Sequence, residues 1–180
     1  MTYNEYRSYS DKSLPEAKKH IANFIKEKLN NRDLTEYVVE TSFYQDTTES
    51  IDLHFKLPNI KVSHRARKKD GNIRDITIKT KSIYDKPCEI DKLIELSKSN
   101  KDPWFYFYCY FDDETNKITR YIIYDLGKLI QTKEFQDKSI FEYSADKINT
   151  KDGGSHFNCI TVQKLIDMDL ICVDCSKYYE

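Results

Sequence analysis

The sequence predicts an α+β (α/β) protein built on a single mixed β-sheet flanked by helices, with a small C-terminal α/β tail. Three observations carry that expectation. Apolar residues recur at helical spacing in two segments, near 14–30 and 88–100. Short runs that alternate apolar and polar residues fill the space between them. The run WFYFYCYF, residues 104–111, is apolar on both faces, as the middle strand of a sheet must be.

Taken in order, residues 1–12 are polar with three tyrosines and read as an N-terminal arm. Ser13-Leu-Pro-Glu16 has the form of a capping box with proline in the first turn, so a helix is expected from 14 to 30. Its apolar stripe is Leu14, Ala17, Ile21, Phe24, Ile25 and Leu29. Strands follow at 37–44 and 50–57, the second alternating Ile51, Leu53 and Phe55 with Asp52, His54 and Lys56. Two further alternating runs, 60–68 and 73–81, flank Asp70-Gly71, a strong signal for a tight hairpin turn. Pro87 and Glu89 open the second helix. Strands are expected at 104–111 and 118–126, and a short helix at 127–135. Residues 136–155 are polar and end in Asp-Gly-Gly, so they read as a loop. The tail, 156–180, holds a strand at 157–162, a helical turn and a last strand at 170–174. Residues 1–180 thus form a single domain with its core at 13–135.

Composition narrows the function. Lys and Arg total 29 against 30 acids, a net charge of −1, which excludes a bulk polycation that coats nucleic acid by charge alone. The 24 aromatic residues argue against disorder. No apolar run approaches the roughly 20 residues of a membrane span. The N-terminus has no apolar segment of the signal-peptide kind. Five cysteines, an odd number, fit reduced thiols and a cytoplasmic protein. There is no Gly-rich phosphate loop, GxSxG, HExxH or EF-hand pattern, which argues against nucleotide and serine hydrolysis.

Charge is concentrated in one place. From Lys61 to Lys81 there are eight basic residues (61, 65, 67, 68, 69, 74, 79 and 81) against Asp70 and Asp75, a local charge of +6. In the expected hairpin, Val62 and Ala66 share one face with His64, which reads as a core histidine. Ser63, Arg65 and Arg67 share the other. On the second strand Ile76 and Ile78 oppose Asp75, Thr77, Lys79 and Lys81. The result is a polar row able to bind phosphates, hold a catalytic group or stand as a solvated surface. In the plainest reading Asp75 makes a cross-strand ion pair with Arg65 or Arg67, and Glu89 is a helix N-terminal charge favoured by the dipole. The candidate binding residues are Arg65, Arg67, Lys68, Lys69, Arg74 and Lys81, since arginine's planar fork suits phosphate.

The order α-βββ-α-β, with a charged strand ending in lysine before the second helix, resembles the restriction-endonuclease-like (PD-(D/E)XK) superfamily. The pattern R-x-R, D-x-T-I-K, E-I-D-K and the aromatic strand, over about residues 50–126, is similar to phage and prophage proteins with that nuclease-like core. The resemblance implies a Mg²⁺-dependent DNA or RNA phosphodiesterase. There, an acid on one strand and an acid-x-Lys on the next hold the metal, which activates water. Carried over, Asp52 is the first acid, Asp75 and Lys79 the following pair, and Glu89 a further acid; Glu16 or Glu27 would be accessory. The sequence departs from the pattern at Thr77, where the family has a carboxylate two residues before the lysine. An alternative alignment, Ser63-His64-Arg65, has no acid at all. The other expectation is therefore a non-enzymatic anti-defence protein, of the anti-CRISPR type, that binds a host nucleoprotein complex through the basic hairpin at 61–81.

A second constellation is His156-x₂-Cys159 and Cys172-x₂-Cys175. Its spacing allows a Cys₃His zinc site. The same cysteines sit among Ile160, Val162, Ile171 and Val173, where thiols pack as small hydrophobes. Cys172 and Cys175 could also form a redox pair.

Overall fold

A computed structural model describes residues 3–28, 38–40, 53–55, 60–68, 73–81, 87–99, 102–141, 143–149 and 155–175. Helix α1, Tyr3–Lys28, lies on one face of a six-stranded mixed sheet. Its strands are β1 (Val38–Glu40), β2 (Leu53–Phe55), β3 (Lys61–Lys68), β5 (Trp104–Asp112), β6 (Lys117–Asp125) and β9 (Ile171–Cys175), side by side in that order. All neighbours are antiparallel except β3 and β5, which run parallel from Lys61↔Trp104 to Lys68↔Phe111. A parallel pair needs a crossover, and this one carries β4 (Asp75–Lys81) and α2 (Glu89–Ser97). β4 belongs to a second, three-stranded antiparallel sheet with β8 (Ser155–Thr161) and β7 (Tyr143–Asn149), in the order β4-β8-β7. Short helices α3 (Leu126–Leu129), α4 (Lys133–Gln136) and α5 (Val162–Asp167) complete the fold. The chain is α+β. No helix among the described residues is long and apolar enough to cross a membrane.

Each face of the large sheet has its own core. On the α1 side, Ala17, Ile21, Phe24 and Ile25 meet Val62, Ala66, Phe107, Cys109 and Ile123. On the other, Trp104, Tyr106, Tyr108, Ile122 and Tyr124 pack with Ile76 and Ile78 of β4, Ile90 and Leu93 of α2, and Ile160 and Leu165 of the tail. This double cover is why β5 carries almost no polar side chain. Its Trp104 Nε1 donates to Ser63 Oγ at 3.0 Å, so the single tryptophan is fully buried without an orphaned donor.

Four expectations change. The basic hairpin does not form: β3 has β2 on one side and β5 on the other, so no edge remains for β4. Asp70 and Gly71, the basis of that reading, lie outside the described residues. For the same reason there are two sheets instead of one. Residues 136–155 are not all loop, because β7 occupies Tyr143–Asn149. The expected arm at 1–12 is helical from Tyr3. Ser13 is then no cap; it is buried within α1, and its hydroxyl donates to the Ser10 carbonyl at 3.0 Å. Pro15 is carried inside the helix, where it removes one backbone donor. α2 forms as expected, with Asp91 Oδ2 accepting the Cys88 N–H at 3.0 Å in a capping box.

Candidate functional site

Although β3 and β4 lie in different sheets, their polar side chains meet. Arg65 projects from β3 towards β4, where one guanidinium nitrogen donates to the Thr77 carbonyl at 2.6 Å. The other donates to Glu89 Oε2 at 2.9 Å, at the first turn of α2. The same Glu89 oxygen accepts the Lys79 N–H at 3.0 Å. In an extended strand, the carbonyl of residue 77 and the amide of residue 79 serve the same edge. β4 is an end strand of its sheet, with β8 on its other side. The Arg65–Glu89 ion pair therefore supplies the donor and acceptor that a neighbouring strand would supply, and it fastens the small sheet to the large one. It also blocks an edge that could otherwise recruit another chain.

The surroundings favour the charged pair. The side chains of Arg65 and Glu89 are only 23% and 12% exposed. Burial works against the guanidinium charge, but Glu89 and the nearby Tyr106 and Tyr108 outweigh it and the Arg65 pKa is raised. Burial also pushes the Tyr124 phenol well up, reinforced by Tyr106 and Glu89, so it stays protonated. Tyr106 and Tyr124 stack with ring centroids 5.2 Å apart. The parallel register sets Tyr108 opposite Arg65. Once β5 is known to be the partner of β3, that neighbourhood follows; the sequence alone gives no partner.

Arg67, two residues on, donates to Thr77 Oγ1 at 2.7 Å. Thr77, the departure from the nuclease pattern, is thus the acceptor for both arginines, through its carbonyl and its hydroxyl. Asp75, at the start of β4 opposite Thr161, is not the partner of Arg65, whose carboxylate comes instead from Glu89. The Lys79 side chain stands beside this network, joined to it only through its backbone.

The proposed metal chemistry finds no matching donor set. Asp52 and Lys69 lie outside the described residues. Glu89 Oε2 is taken by Arg65 and the Lys79 amide, and β3 carries no acid. Among the described residues no three His, Cys, Asp or Glu side chains gather as metal ligands would, so those residues do not fit a Mg²⁺ centre. His156 and Cys159 lie on β8 of the small sheet, whereas Cys172 and Cys175 lie on β9 of the large one. The structure does not bring these four together. Glu16, a candidate accessory acid, accepts the Ile118 N–H at 2.7 Å and ties α1 to β6.

The cations that remain are of a different kind. Among the described residues Lys68, Arg74, Lys79 and Lys81 have no ion-pair partner, whereas Lys61, Lys98 and Lys128 pair with Asp102, Glu95 and Asp125. Lys68, Arg74 and Lys81 are exposed. They follow the end of β3 and the length of β4.

On the opposite face of β3, His64 is enclosed by α1. Ser13 Oγ lies 3.2 Å from its Nε2, and Cys109 Sγ 3.8 Å. Ser13 Oγ thus lies between the Ser10 carbonyl and His64 Nε2, with the direction of the second bond set by the imidazole tautomer. Burial lowers the His64 pKa to about 4, so the ring is neutral at pH 7. This is the core histidine expected from its place between Val62 and Ala66.

No family model matches the chain. No curated protein matches it either.

Proposed function

We propose that the protein binds nucleic acid without cleaving it, on a nuclease-like scaffold whose metal chemistry is absent from the expected strand. One feature supports the scaffold. The order α1-β1-β2-β3, then α2-β5 with β5 parallel to β3, agrees with the αβββαβ order of the resemblance, with β4 added in the crossover. In that order the strand after β2 is β3, where the triplet is Ser63-His64-Arg65. D-x-T-I-K lies on β4, in the other sheet. The observation that carries the function is the set of uncompensated cations at Lys68, Arg74, Lys79 and Lys81 in a chain of net charge −1. A concentration of cations that outnumbers its interleaved acids, here Asp70 and Asp75, costs self-repulsion, which a polyanion relieves through counterion release. Arg65, bound internally on two sides, is a structural residue in this reading.

The test is fluorescence anisotropy with labelled DNA and RNA over a salt series, with parallel incubations in Mg²⁺ and Mn²⁺. The expected result is binding that weakens steeply with salt and leaves the oligonucleotide intact. Absence of binding at low salt overturns the proposal. Metal-dependent cleavage abolished by Lys79→Ala would restore the enzymatic reading.

A further inference from the structure

The two faces of the large sheet are covered in different ways. The face lined by Trp104, Tyr106 and Tyr108 is closed by β4, α2 and the C-terminal tail together. The face lined by Val62, Ala66, Phe107, Cys109 and Ile123 is closed, among the described residues, by α1 alone. Weakening that single contact uncovers the whole face.

Two histidines lie inside the contact, His64 on β3 and His20 on α1. Phe107, fully buried on β5, stands between them, its ring centroid 5.9 Å from that of His64 and 6.2 Å from that of His20. Tyr121 of β6 extends the cluster, 5.2 Å from Phe107 and 4.6 Å from His20. His64 is faced by Ser13 Oγ from α1 at 3.2 Å and by Cys109 Sγ from β5 at 3.8 Å. Burial, reinforced by Glu16, pushes the Cys109 thiol up, so it stays neutral in acid. Burial, with Cys175 and Glu27, pushes the Tyr121 phenol up to about 12, so it stays neutral too. The charges that act on His20 are Glu16 and Lys19, with opposite signs, and Glu16 already accepts the Ile118 N–H at 2.7 Å.

An imidazolium held between a helix and an apolar sheet face is costly. Burial accordingly lowers the pKa of both histidines, that of His64 to about 4 against 6.5 in the unfolded chain. Protons therefore favour the state in which α1 has left the sheet. The contact is strongest above about pH 6.5 and weakens as pH falls through about 4.

We propose that α1 is an acid-released cover: protonation of His64 and His20 lifts it from the sheet while the opposite core, with β4 and α2, stays assembled. Release uncovers the continuous apolar surface of β3, β5 and β6. The inference is independent of the nucleic-acid reading, because β4 lies over the other face.

The fold supplies a separate reporter for each face. α1 holds 26 helical residues, more than the other four described helices together, with 9, 4, 4 and 6. Helical circular dichroism therefore follows α1. Trp104, the single tryptophan, lies in the opposite core, so its fluorescence follows that side. Wild type and His64→Gln are titrated from pH 7 into acid with both signals. In wild type about half of the helical signal is expected to be lost before the Trp104 emission changes, with a midpoint between about pH 4 and 6.5. The steepness of that step gives the protons taken up, and His64→Gln should take up about one fewer, a readout that lost packing alone does not move. A helical signal that does not fall before the Trp104 emission overturns the proposal, as does equal steepness in the two proteins. Should His64→Gln not fold at pH 7, the wild-type His64 imidazole resonance decides by NMR: titration within the helical step supports release by protonation, and titration outside it overturns it.

Discussion

β3 and β4 are near-copies in pattern and opposites in fate. Both alternate apolar with basic or hydroxyl residues, and both follow the same expectation of one wet face. β3 became the interior of a six-stranded sheet, with α1 on one face and β4 and α2 over the other. Its Arg65 was consequently taken from solvent and had to be satisfied by Thr77 and Glu89. β4 went to the end of a three-stranded sheet and kept Lys79 and Lys81 without ion-pair partners among the described residues. Alternation tells which residues share a face. It does not tell whether that face meets water or another layer, and that difference separates an arginine bonded inside the molecule from a lysine with no ion-pair partner among the described residues.

The sharpest way to break the comparison is at the staple. Arg65→Ala removes the donor to Thr77 and leaves Glu89 without its counter-charge, for an expected loss of about 3 kcal/mol. Glu89→Ala should cost a similar amount. The double variant should lose less than the sum, because neither charge is then left unpaired. Urea unfolding of the three variants measures this, and a loss from Arg65→Ala typical of a surface residue would return Arg65 to the binding surface.

The other face of β3 has its own signature. His64 has a pKa of 6.5 when unfolded and about 4 when folded, because burial disfavours the imidazolium. The unfolded chain therefore takes up the proton first as pH falls. The contribution is fully present above about pH 6.5 and is lost as pH drops through about 4, roughly 3 kcal/mol in all. Unfolding free energies of wild type and His64→Gln, measured across that range, should diverge by this amount; parallel curves would contradict it.

Smaller effects sharpen the contrast. Thr77→Val keeps the carbonyl that Arg65 uses but removes the hydroxyl that Arg67 uses, with an expected cost of about 1 kcal/mol in the same denaturation assay. Lys79→Ala should change stability by less than about 0.5 kcal/mol.

Much of the architecture is visible in the sequence where a segment's own periodicity decides it. The apolar stripe from Ala17 to Ile25, the helix opened by Pro87 and Glu89, and the eight uncharged residues before Asp112 are each specified locally. What was hidden depends on distant partners. The Asp70-Gly71 signal concerns one turn and knows nothing of β5, which claims the edge of β3 across 43 residues of intervening register, from Lys61 to Trp104. Tyr143–Asn149, YSADKIN, is polar enough to pass for loop, and becomes a strand because β8 offers it an edge. Ser13 resembles a helix cap because a hydroxyl that bonds a buried histidine and one that caps a helix are the same residue in sequence. The basic stretch was found as a charge cluster. Its division into Arg65 as staple and the β4 lysines as surface required the second sheet.

The most direct test of that division is the salt dependence of oligo-dT affinity for wild type and for the Lys79→Ala, Lys81→Ala double variant. Each lost phosphate contact should reduce the slope of log K against log salt by about 0.7, so the double variant should fall short of wild type by about 1.4 with its unfolding midpoint unchanged. An identical slope and affinity in the two proteins would show that the lysines of β4 are not where nucleic acid binds.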